Sequence, residues 1–322
     1  MKLIWKSALL VLAGALFFGG VGIYATWAPD VPVHELKARW ARPPSTFIAV
    51  DGLQVHLRDE GPRSDGAPGT QGSALPIVLL HGTSASLHTW EGWASALRQE
   101  RRVVRFDLPG FALTGPNAQN DYSMPVYVKF VIDTVNALGI QRFVLAGNSL
   151  GGQIAWATAA AHPDRVAKLI LVDASGYAIA QRDMPIGFKL ATMPVARDLM
   201  RVTLPRGVVE DSLRNVYGDP AKVTPELVDL FADMTRRSGN RQALSRRLEQ
   251  GYTGDVAQIR ALKVPTLILW GGRDRLIPPD NARRFEKDIA GSKLVMFDDL
   301  GHVPHEEDPA RTVAEVQRFL AQ

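Results

Sequence analysis

Residues 142–152 read RFVLAGNSLGG, and the fold is decided by this stretch. The apolar run at 143–146 predicts a buried strand, and a helical pattern follows it directly. Between the two lies a G-x-S-x-G pattern with Ser149 at its centre. Gly147 and Gly151 flank the serine because so sharp a turn leaves no space for neighbouring side chains. The stretch therefore predicts a strand, a tight turn that presents a serine, and a helix.

The position of Ser149 suits a nucleophile. Its hydroxyl would lie at the N-terminal end of a helix, where unpaired amides and the helix dipole stabilise developing negative charge. The competing interpretation is a glycine-rich turn that only caps the helix, because a G-x-S-x-G string also arises by chance. Evidence from the rest of the chain is needed to distinguish these two interpretations.

Strands and helices alternate around this stretch. An Asp51–Gly52 pair predicts a hairpin between apolar runs at 47–50 and 53–57. Further strands are predicted at 76–80, 102–106, 167–173, 264–270 and 293–297. Helical patterns separate most of these runs, which implies right-handed crossovers between parallel strands. The sequence therefore predicts an α/β fold with a mostly parallel eight-stranded sheet and helices on both faces.

The alternation stops after Tyr177. From 178 to 262 the pattern is helical, with breaks at proline and glycine. We therefore predict two core parts, 47–177 and 263–322, and an inserted helical cap at 178–262. Four apolar cap side chains are candidates for lining an acyl pocket over the serine: Leu190, Met193, Leu199 and Met200. Five cap arginines are predicted to form a solvated helix face: Arg236, Arg237, Arg241, Arg246 and Arg247.

Residues 1–28 are predicted to form an N-terminal membrane anchor. The segment 7–28 is uncharged, and as a helix it is long enough for a hydrocarbon core of about 30 Å. Lysines before it place the catalytic domain on the periplasmic side of a bacterial-type inner membrane. The alternative is a signal segment whose cleavage releases a secreted protein, although Pro29 is a poor context for cleavage. Residues 29–46 predict a linker or short surface helix.

Composition excludes several classes of function. With 37 basic and 33 acidic residues spread along 322 positions, the chain has no basic tract for nucleic acid. It has no cysteine, which excludes disulfides, thiolate metal sites and cysteine nucleophiles. The content of 46% hydrophobic residues is enough for a large core. No cofactor and no metal are expected, and the oligomeric state is left open.

A serine nucleophile needs a base, and the base needs a carboxylate that orients it. His302 follows the last predicted strand, and Asp274 follows the strand before it. Both lie at carboxyl ends of strands, at the edge where open parallel sheets bind ligands. Asp173 ends another strand at the same edge and is the competing candidate for the acid, although a short side chain there is expected to bond loop amides.

From residue 47 onward the chain resembles the cap-bearing branch of the α/β-hydrolase superfamily. The resemblance rests on HGTSAS, DLPGFALTGP, GNSLGG, WGGRD and GHVPHEEDP in that order. It implies Ser149 as nucleophile, His302 as base and Asp274 as acid. It also implies an oxyanion hole made by the backbone amides of Thr83 and Leu150. Ala112 departs from the pattern, because such loops usually carry glycine there.

Other polar residues have structural interpretations. Asp107 is expected to cap a turn, and His81 to shape the oxyanion loop through hydrogen bonds. The run from His305 to Asp308 suggests metal ligands, but acidic residues at a helix start more often stabilise the helix.

These observations predict a membrane-anchored serine hydrolase that cleaves a small-molecule carboxylic ester, with short to medium apolar acyl groups preferred. A first alternative is a carbon–carbon bond hydrolase of aromatic ring-fission products, whose elbow resembles GNSLGG. That branch usually has a longer oxyanion loop and a tryptophan after the histidine, and HGTSAS and Val303 depart from both. The alternative of another class is a catalytically silent binding protein on this fold.

Overall fold

A computed structural model describes residues 20–22, 24–63, 74–177, 193, 199, 202–251 and 254–322. Eight strands form one sheet: β1 (Thr46–Val50), β2 (Leu53–Glu60), β3 (Ile77–Leu80), β4 (Val103–Phe106), β5 (Phe143–Asn148), β6 (Val166–Val172), β7 (Thr266–Gly271) and β8 (Lys293–Phe297). Their order in the sheet is β1-β2-β4-β3-β5-β6-β7-β8. Only the pairs β1–β2 and β2–β4 are antiparallel, so the prediction of a mostly parallel sheet is confirmed.

Alternate strand residues face two separate hydrophobic clusters, one on each side of the sheet. Val78 and Leu80 belong to one cluster, whereas Ile77 and Leu79 belong to the other. This alternation follows from the two-residue period of a strand. Because the interior strands β3, β5 and β7 are covered on both faces, their residues are buried without interruption and are mostly apolar.

The helices that cover the sheet come from the connections between strands. The first cluster is closed mainly by α3 (Met124–Ala137), α4 (Leu150–Ala161) and α9 (Asp280–Asp288), and the second by α2 (Glu91–Leu97) and α11 (Pro309–Leu320). A short helix, α10 (Pro304–Glu307), lies between β8 and α11. The predicted arrangement of helices on both faces is therefore confirmed.

The described residues between β6 and β7 are helical, as predicted for the cap. They form α5 (Arg206–Val216), α6 (Pro225–Arg236), α7 (Asn240–Glu249) and α8 (Val256–Ala261). Ile259 of α8 is buried in the same cluster as α4, so the end of this interval packs on the core. Residues 178–192, 194–198, 200–201 and 252–253 lie outside the described residues.

Residues 24–41 bind along the cap. The amide of Ala28 donates to the carbonyl oxygen of Val202 (2.9 Å), and the amide of Val31 donates to that of Arg236 (2.7 Å). The helix α1 (Val33–Trp40) then buries Leu36 against cap side chains of α6 and against the loop at 112–113. The interval 29–46, predicted as a linker or short surface helix, therefore contains a helix that is held by contacts with both the cap and the core.

The N-terminal anchor prediction needs correction. In the part of the chain that the structure describes, no helix combines the length and the apolar character needed to cross a bilayer. Trp27 forms an antiparallel bridge with Thr203 instead of continuing a helix, because the backbone groups on either side of it, in Thr26 and Ala28, make hydrogen bonds with the cap. These findings overturn the predicted transmembrane anchor, the membrane partner and the inner-membrane location. Residues 1–19 and 23 of the predicted segment lie outside the described residues.

Three of the five cap arginines contradict the predicted solvated face, because Arg237, Arg241 and Arg247 are at least partly buried and burial lowers the pKa of Arg247. Arg241 is only 7% exposed, and its guanidinium pairs with Asp30 at 2.5 Å. Burial lowers the pKa of Arg237, whose guanidinium donates to the carbonyl oxygen of Ser238 at 2.6 Å. The physical reason is tertiary packing. The N-terminal segment and the loop at 115–116 cover the start of α7 and the residues just before it.

Candidate active site

Ser149 lies on the turn between β5 and α4. Its backbone has φ 54° and ψ −117°, a region that non-glycine residues occupy only under strain. A Cβ atom on Gly147 would collide with the carbonyl oxygen of Gly151, and one on Gly151 would collide with that of Leu80. The glycines on both sides of the serine are therefore required by the close approach of the helix start to β3 and β5.

The two amides predicted to form an oxyanion hole lie beside this turn. Gly82 approaches so closely that a Cβ atom there would be 3.1 Å from the Cβ of Ser149, which brings Thr83 next to the serine. Leu150 is the first residue of α4, so its amide has no intrahelical acceptor. Within the described residues, neither the Thr83 amide nor the Leu150 amide makes a hydrogen bond. Both donors are thus available to a ligand.

His81 holds the first of these loops in place. Its Nδ1 donates to the carbonyl oxygen of Gly82 (2.8 Å), and its Nε2 accepts from the amide of Leu108 (2.9 Å). These partners require the neutral tautomer with the proton on Nδ1, and burial lowers the pKa of this imidazole. The predicted loop-shaping role of His81 agrees with these contacts.

His302 and Asp274 form a buried hydrogen-bonded pair. The Nδ1 of His302 lies 2.7 Å from Oδ2 of Asp274. The other carboxylate oxygen, Oδ1, accepts from the amides of Leu276 (2.7 Å) and Ile277 (2.9 Å), which fixes the orientation of the carboxylate. With its proton on Nδ1, the imidazole presents the lone pair of Nε2 as a proton acceptor.

A hydrogen bond links the serine turn to the histidine loop. The side-chain amide of Asn148 donates to the carbonyl oxygen of His302 (3.0 Å) and to that of Val172 (3.2 Å). Ser149 Oγ makes no hydrogen bond within the described residues. Catalytic hydrogen bonds are often long without substrate, and here the side chain of Asn148 joins the serine turn to the backbone of the histidine loop.

Asp173 lies beside the His302–Asp274 pair. Its Oδ1 accepts from the amide of Gly271 (3.0 Å), and the side chain is fully buried. One ligand atom each of Asp173, Asp274 and His302 lie within 4.8 Å of one another, which makes them the candidate metal ligands among the described residues. However, both Asp274 oxygens and His302 Nδ1 already take part in hydrogen bonds. The donor set therefore favours a hydrogen-bonded network over a metal site.

The run from His305 to Asp308 has several structural roles. Burial lowers the pKa of His305 to about 3, and its ring packs against Trp90 at an interplanar angle of 32° with centroids 4.1 Å apart. Glu307 accepts from the backbone amides of Gly218 (2.9 Å), Asp219 (2.8 Å) and Gly301 (2.9 Å). Asp308 caps α11 by accepting from the amide of Arg311 (3.1 Å). Only Asp308 performs the helix-start role that was predicted for the group.

Sequence reasoning missed a second serine–histidine–aspartate arrangement, formed by His56 on β2, Asp107 after β4 and Ser45 before β1. His56 Nδ1 lies 2.7 Å from Asp107 Oδ2, and its Nε2 lies 2.9 Å from Ser45 Oγ. Asp107 also accepts from the amides of Leu87 (2.8 Å) and Leu113 (3.0 Å), so it holds two loops rather than one turn. The partners are 11 and 51 residues away from His56 in sequence, so no local pattern reveals them.

The predicted acyl-pocket residues of the cap are only partly described. Met193 is 55% exposed and Leu199 is 44% exposed. Leu190 and Met200 lie outside the described residues. That these four side chains line a pocket over Ser149 stays a prediction.

Comparisons with known proteins agree with this fold. The sequence profile of the family described as "alpha/beta hydrolase fold" matches residues 76–309. The chain is 30% identical over 281 residues to a 2-hydroxymuconate semialdehyde hydrolase of Pseudomonas sp. (strain CF600), a match that covers 85% of this chain and 93% of the relative.

Solved structures extend this similarity. A meta-cleavage product hydrolase from Pseudomonas fluorescens IP01 superposes with a TM-score of 0.73 at 24% identity, covering 86% of this chain and 97% of that one. A membrane phospholipase A, described as a bacterial virulence factor, superposes with a TM-score of 0.70 at 26% identity, covering 100% of this chain and 98% of that one. The family profile covers most of the chain and the sheet has the matching architecture, so the protein belongs to the α/β-hydrolase fold family.

Proposed function

We propose that the protein is a serine hydrolase that cleaves a carboxylic ester through an acyl-enzyme on Ser149. His302 Nε2 takes the proton of Ser149 Oγ while this oxygen bonds to the ester carbonyl carbon. The alcohol then leaves with the proton that His302 returns to it. In the second half, His302 takes a proton from water while the water oxygen bonds to the acyl carbon. The bond from that carbon to Ser149 Oγ then breaks, the oxygen takes the proton from His302, and the carboxylic acid leaves.

The His302–Asp274 pair is the observation that carries this proposal. A separation of 2.7 Å between Nδ1 and Oδ2 fixes the imidazole in the tautomer that a general base requires. Two backbone amides hold the carboxylate, so it can stabilise the imidazolium without turning away. Backbone strain at the serine and burial of the polar pair both lower the stability of the folded chain. That cost supports a catalytic role over a purely structural one.

The Thr83 and Leu150 amides supply the electrostatic part of the proposal. The tetrahedral intermediate carries a negative oxygen, and backbone donors aimed at that position stabilise it without reorganisation. In this role, the amides need no other acceptor, in agreement with their free state within the described residues.

Two relatives support two different scissile bonds. The phospholipase A is an ester hydrolase by name, and its similarity covers the whole chain, including the segment that binds the cap. The semialdehyde hydrolase of strain CF600 is more similar in sequence and supports carbon–carbon cleavage as the second candidate. We favour the ester because HGTSAS and Val303 depart from the pattern of the carbon–carbon hydrolases.

The deciding experiment compares two substrate classes on the purified full-length protein. A series of nitrophenyl esters of increasing acyl length is assayed beside a ring-fission product of the 2-hydroxymuconate semialdehyde type. We expect turnover of esters, with a preference for short to medium chains, and little turnover of the ring-fission product. A clear preference for the ring-fission product would replace the ester with the second candidate.

Labelling by a fluorophosphonate separates both enzymes from a silent binding protein. The reagent should modify Ser149 in the wild-type protein, and Ser149→Ala should abolish the labelling. The matched control is Ser45→Ala, which removes the serine of the second serine–histidine–aspartate arrangement. A wild-type protein that stays unlabelled while folded would favour the binding protein.

A further inference from the structure

Two buried carboxyl groups meet behind His302. Asp173 follows β6 and Asp274 lies in the loop after β7, and these parallel strands are neighbours in the sheet. One carboxylate oxygen of each lies within 4.8 Å of the other and of a His302 ring nitrogen. Asp173 is 0% exposed and Asp274 is 5% exposed, so water does not screen the two groups from each other. Two anions at this separation in a buried site repel strongly, which favours one shared proton.

The hydrogen-bond partners decide which carboxyl group holds that proton. Asp274 accepts from two backbone amides and from His302 Nδ1, so three donors stabilise its anionic form. Asp173 accepts from a single amide, that of Gly271, through Oδ1. Its Oδ2 is buried and has no donor within the described residues. An ionised Asp173 would therefore leave a buried charge uncompensated.

The electrostatic surroundings point the same way. Asp173 faces the carboxylates of Asp274 and Glu307. Its pKa is raised well above 3.8, mainly by burial and next by the negative charge of Asp274. His302 is the basic group in this cluster, and its Nδ1 is already bonded to Asp274. Nothing described beside Asp173 neutralises it, so protonation is the remaining way to remove its charge.

We propose that Asp173 is a neutral carboxylic acid whose O–H donates to the Asp274 carboxylate and positions it for His302. This role rests on the proposed function, because it assigns a task within the same site. A neutral Asp173 leaves one negative charge behind the imidazole, enough to orient it. A second negative charge would favour the imidazolium form of His302 and remove the lone pair that accepts the Ser149 proton.

Asp173→Asn is the test variant, because an amide imitates the protonated acid. Its oxygen can accept from Gly271 and its NH₂ group can donate to Asp274. We expect kcat and KM of Asp173→Asn within about threefold of wild type, since the hydrogen bonds are kept. Asp173→Ala removes the donor, and a displaced acid should lower kcat on the order of 10- to 100-fold with KM little changed. Asp274→Asn is the matched control at the ionised position, where the same change should cost about 10⁴ in kcat.

The pH dependence separates positioning from a merely structural role. In wild type, ionisation of Asp173 as pH rises should reduce kcat/KM, and Asp173→Asn should lack that decrease. The same ionisation should also weaken folding. The folded pKa lies above the unfolded one, so stability is full below the unfolded pKa and falls as pH rises toward the folded pKa. As pH increases, the Tm of wild type should therefore fall relative to the Tm of Asp173→Asn.

Infrared spectroscopy tests the proton without any substrate. At neutral pH the wild-type spectrum should contain a carboxylic-acid carbonyl band that Asp173→Asn removes. Glu306→Gln identifies the separate band of Glu306, whose pKa burial raises to about 8. If no ester is cleaved but the Asp173 band is present, the proposed function fails and the protonated acid stands. Absence of the band, or an Asp173→Asn protein that is folded but as inactive as Asp274→Asn, would overturn the inference.

Discussion

The backbone amide of His302 donates a hydrogen bond to the carbonyl oxygen of Val216 at 2.7 Å. Val216 is the last residue of α5 in the cap, whereas His302 follows the last strand of the core. The proposed base is therefore attached to the cap through its own backbone. Glu307 strengthens the attachment, because its carboxylate bonds Gly218 on the cap side and Gly301 on the core side.

Glu307→Gln should uncouple the cap from the histidine loop. The carboxylate accepts from three backbone amides, and a glutamine would point its NH₂ group at at least one of those donors. An unpaired buried amide costs about 1–3 kcal/mol, so we expect a loss of that size in the free energy of unfolding and a decrease of kcat/KM. Denaturant unfolding and ester kinetics measure the two effects.

Glu306→Gln is the matched control for Glu307. It changes the neighbouring residue in the same way. However, burial raises the pKa of Glu306 to about 8, so this side chain is already protonated at pH 7. Glutamine resembles that neutral form, so both stability and kcat/KM should stay near wild type at pH 7. Equal losses of stability and of kcat/KM in the two variants would show that the hydrogen bonds of Glu307 to the cap and to the histidine loop have no special effect.

Ser149→Gly should separate the requirements of function and stability. Serine at φ 54° carries backbone strain of about 1–3 kcal/mol, which glycine largely avoids. We therefore expect Ser149→Gly to unfold at a higher temperature than Ser149→Ala. Both variants should lose ester hydrolysis by a factor on the order of 10⁴ to 10⁶, because both lack the nucleophile. Calorimetry and burst kinetics test this pair, and residual activity within tenfold of wild type would remove Ser149 from the mechanism.

Acid should destabilise the protein through two neutral histidines. Burial lowers the pKa of His88 to about 4 and that of His305 to about 3, from 6.5 in the unfolded chain. A depressed folded pKa means that the unfolded chain binds the proton first, so stability is full above pH 6.5 and falls as pH decreases toward these values.

His305→Phe tests that acid sensitivity. Phenylalanine can keep the ring contact with Trp90 and cannot be protonated. The slope of unfolding free energy against pH between 6.5 and 4 should decrease by at most about 1.4 kcal/mol per pH unit. An unchanged slope in urea titrations across this range would mean that His305 is not buried as a neutral ring.

Asp30→Ala should loosen the N-terminal segment from the cap. Asp30 pairs with the guanidinium of Arg241, which is 7% exposed, and also accepts from the amide of Gly239 (3.1 Å). Because Asp30 itself is partly exposed, we expect a loss of about 1–2 kcal/mol rather than the larger cost of a fully buried pair. Thermal unfolding should show the loss.

Asp229→Ala is the control for that variant. It removes a carboxylate at 39% side-chain exposure that pairs with the exposed side chains of Arg39 on α1 and Arg206 on α5. Exposed pairs of this kind have a median worth of about 0–1 kcal/mol, and no partner is left buried without its counter-ion, so their removal should lower Tm less than Asp30→Ala. If both variants behaved alike, the Asp30–Arg241 pair would be an ordinary surface contact.

Local patterns in the sequence were sufficient for the elements of the core. The apolar run at 143–146 became β5, and the Asp51–Gly52 pair became the turn between β1 and β2. These predictions succeed because strand burial and turn geometry depend on neighbouring residues. The predicted anchor did not succeed, because apolar composition alone does not show that Trp27 pairs with Thr203.

The backbone strain at Ala112 shows a departure that sequence could identify but not explain. The resemblance expects glycine there, and the structure gives this alanine φ 45°. A side-chain amide of the cap, from Asn240, bonds the Ala112 carbonyl oxygen at 3.0 Å. The contact explains how a non-glycine residue is held in this conformation.

The sequence by itself determined the sheet, the serine turn, and the placement of Asp274 and His302 at one edge, since each depends on short-range periodicity and on parallel strands ending together. Only the tertiary structure decided that Asp274 bonds His302 while Asp173 lies behind it, and that Glu307 bonds a cap residue 89 positions away. These relationships depend on which buried donors remain after the strands pair. The choice of hydrogen-bond partners is a property of the packed chain, because a buried polar group bonds the donors and acceptors that packing brings close to it.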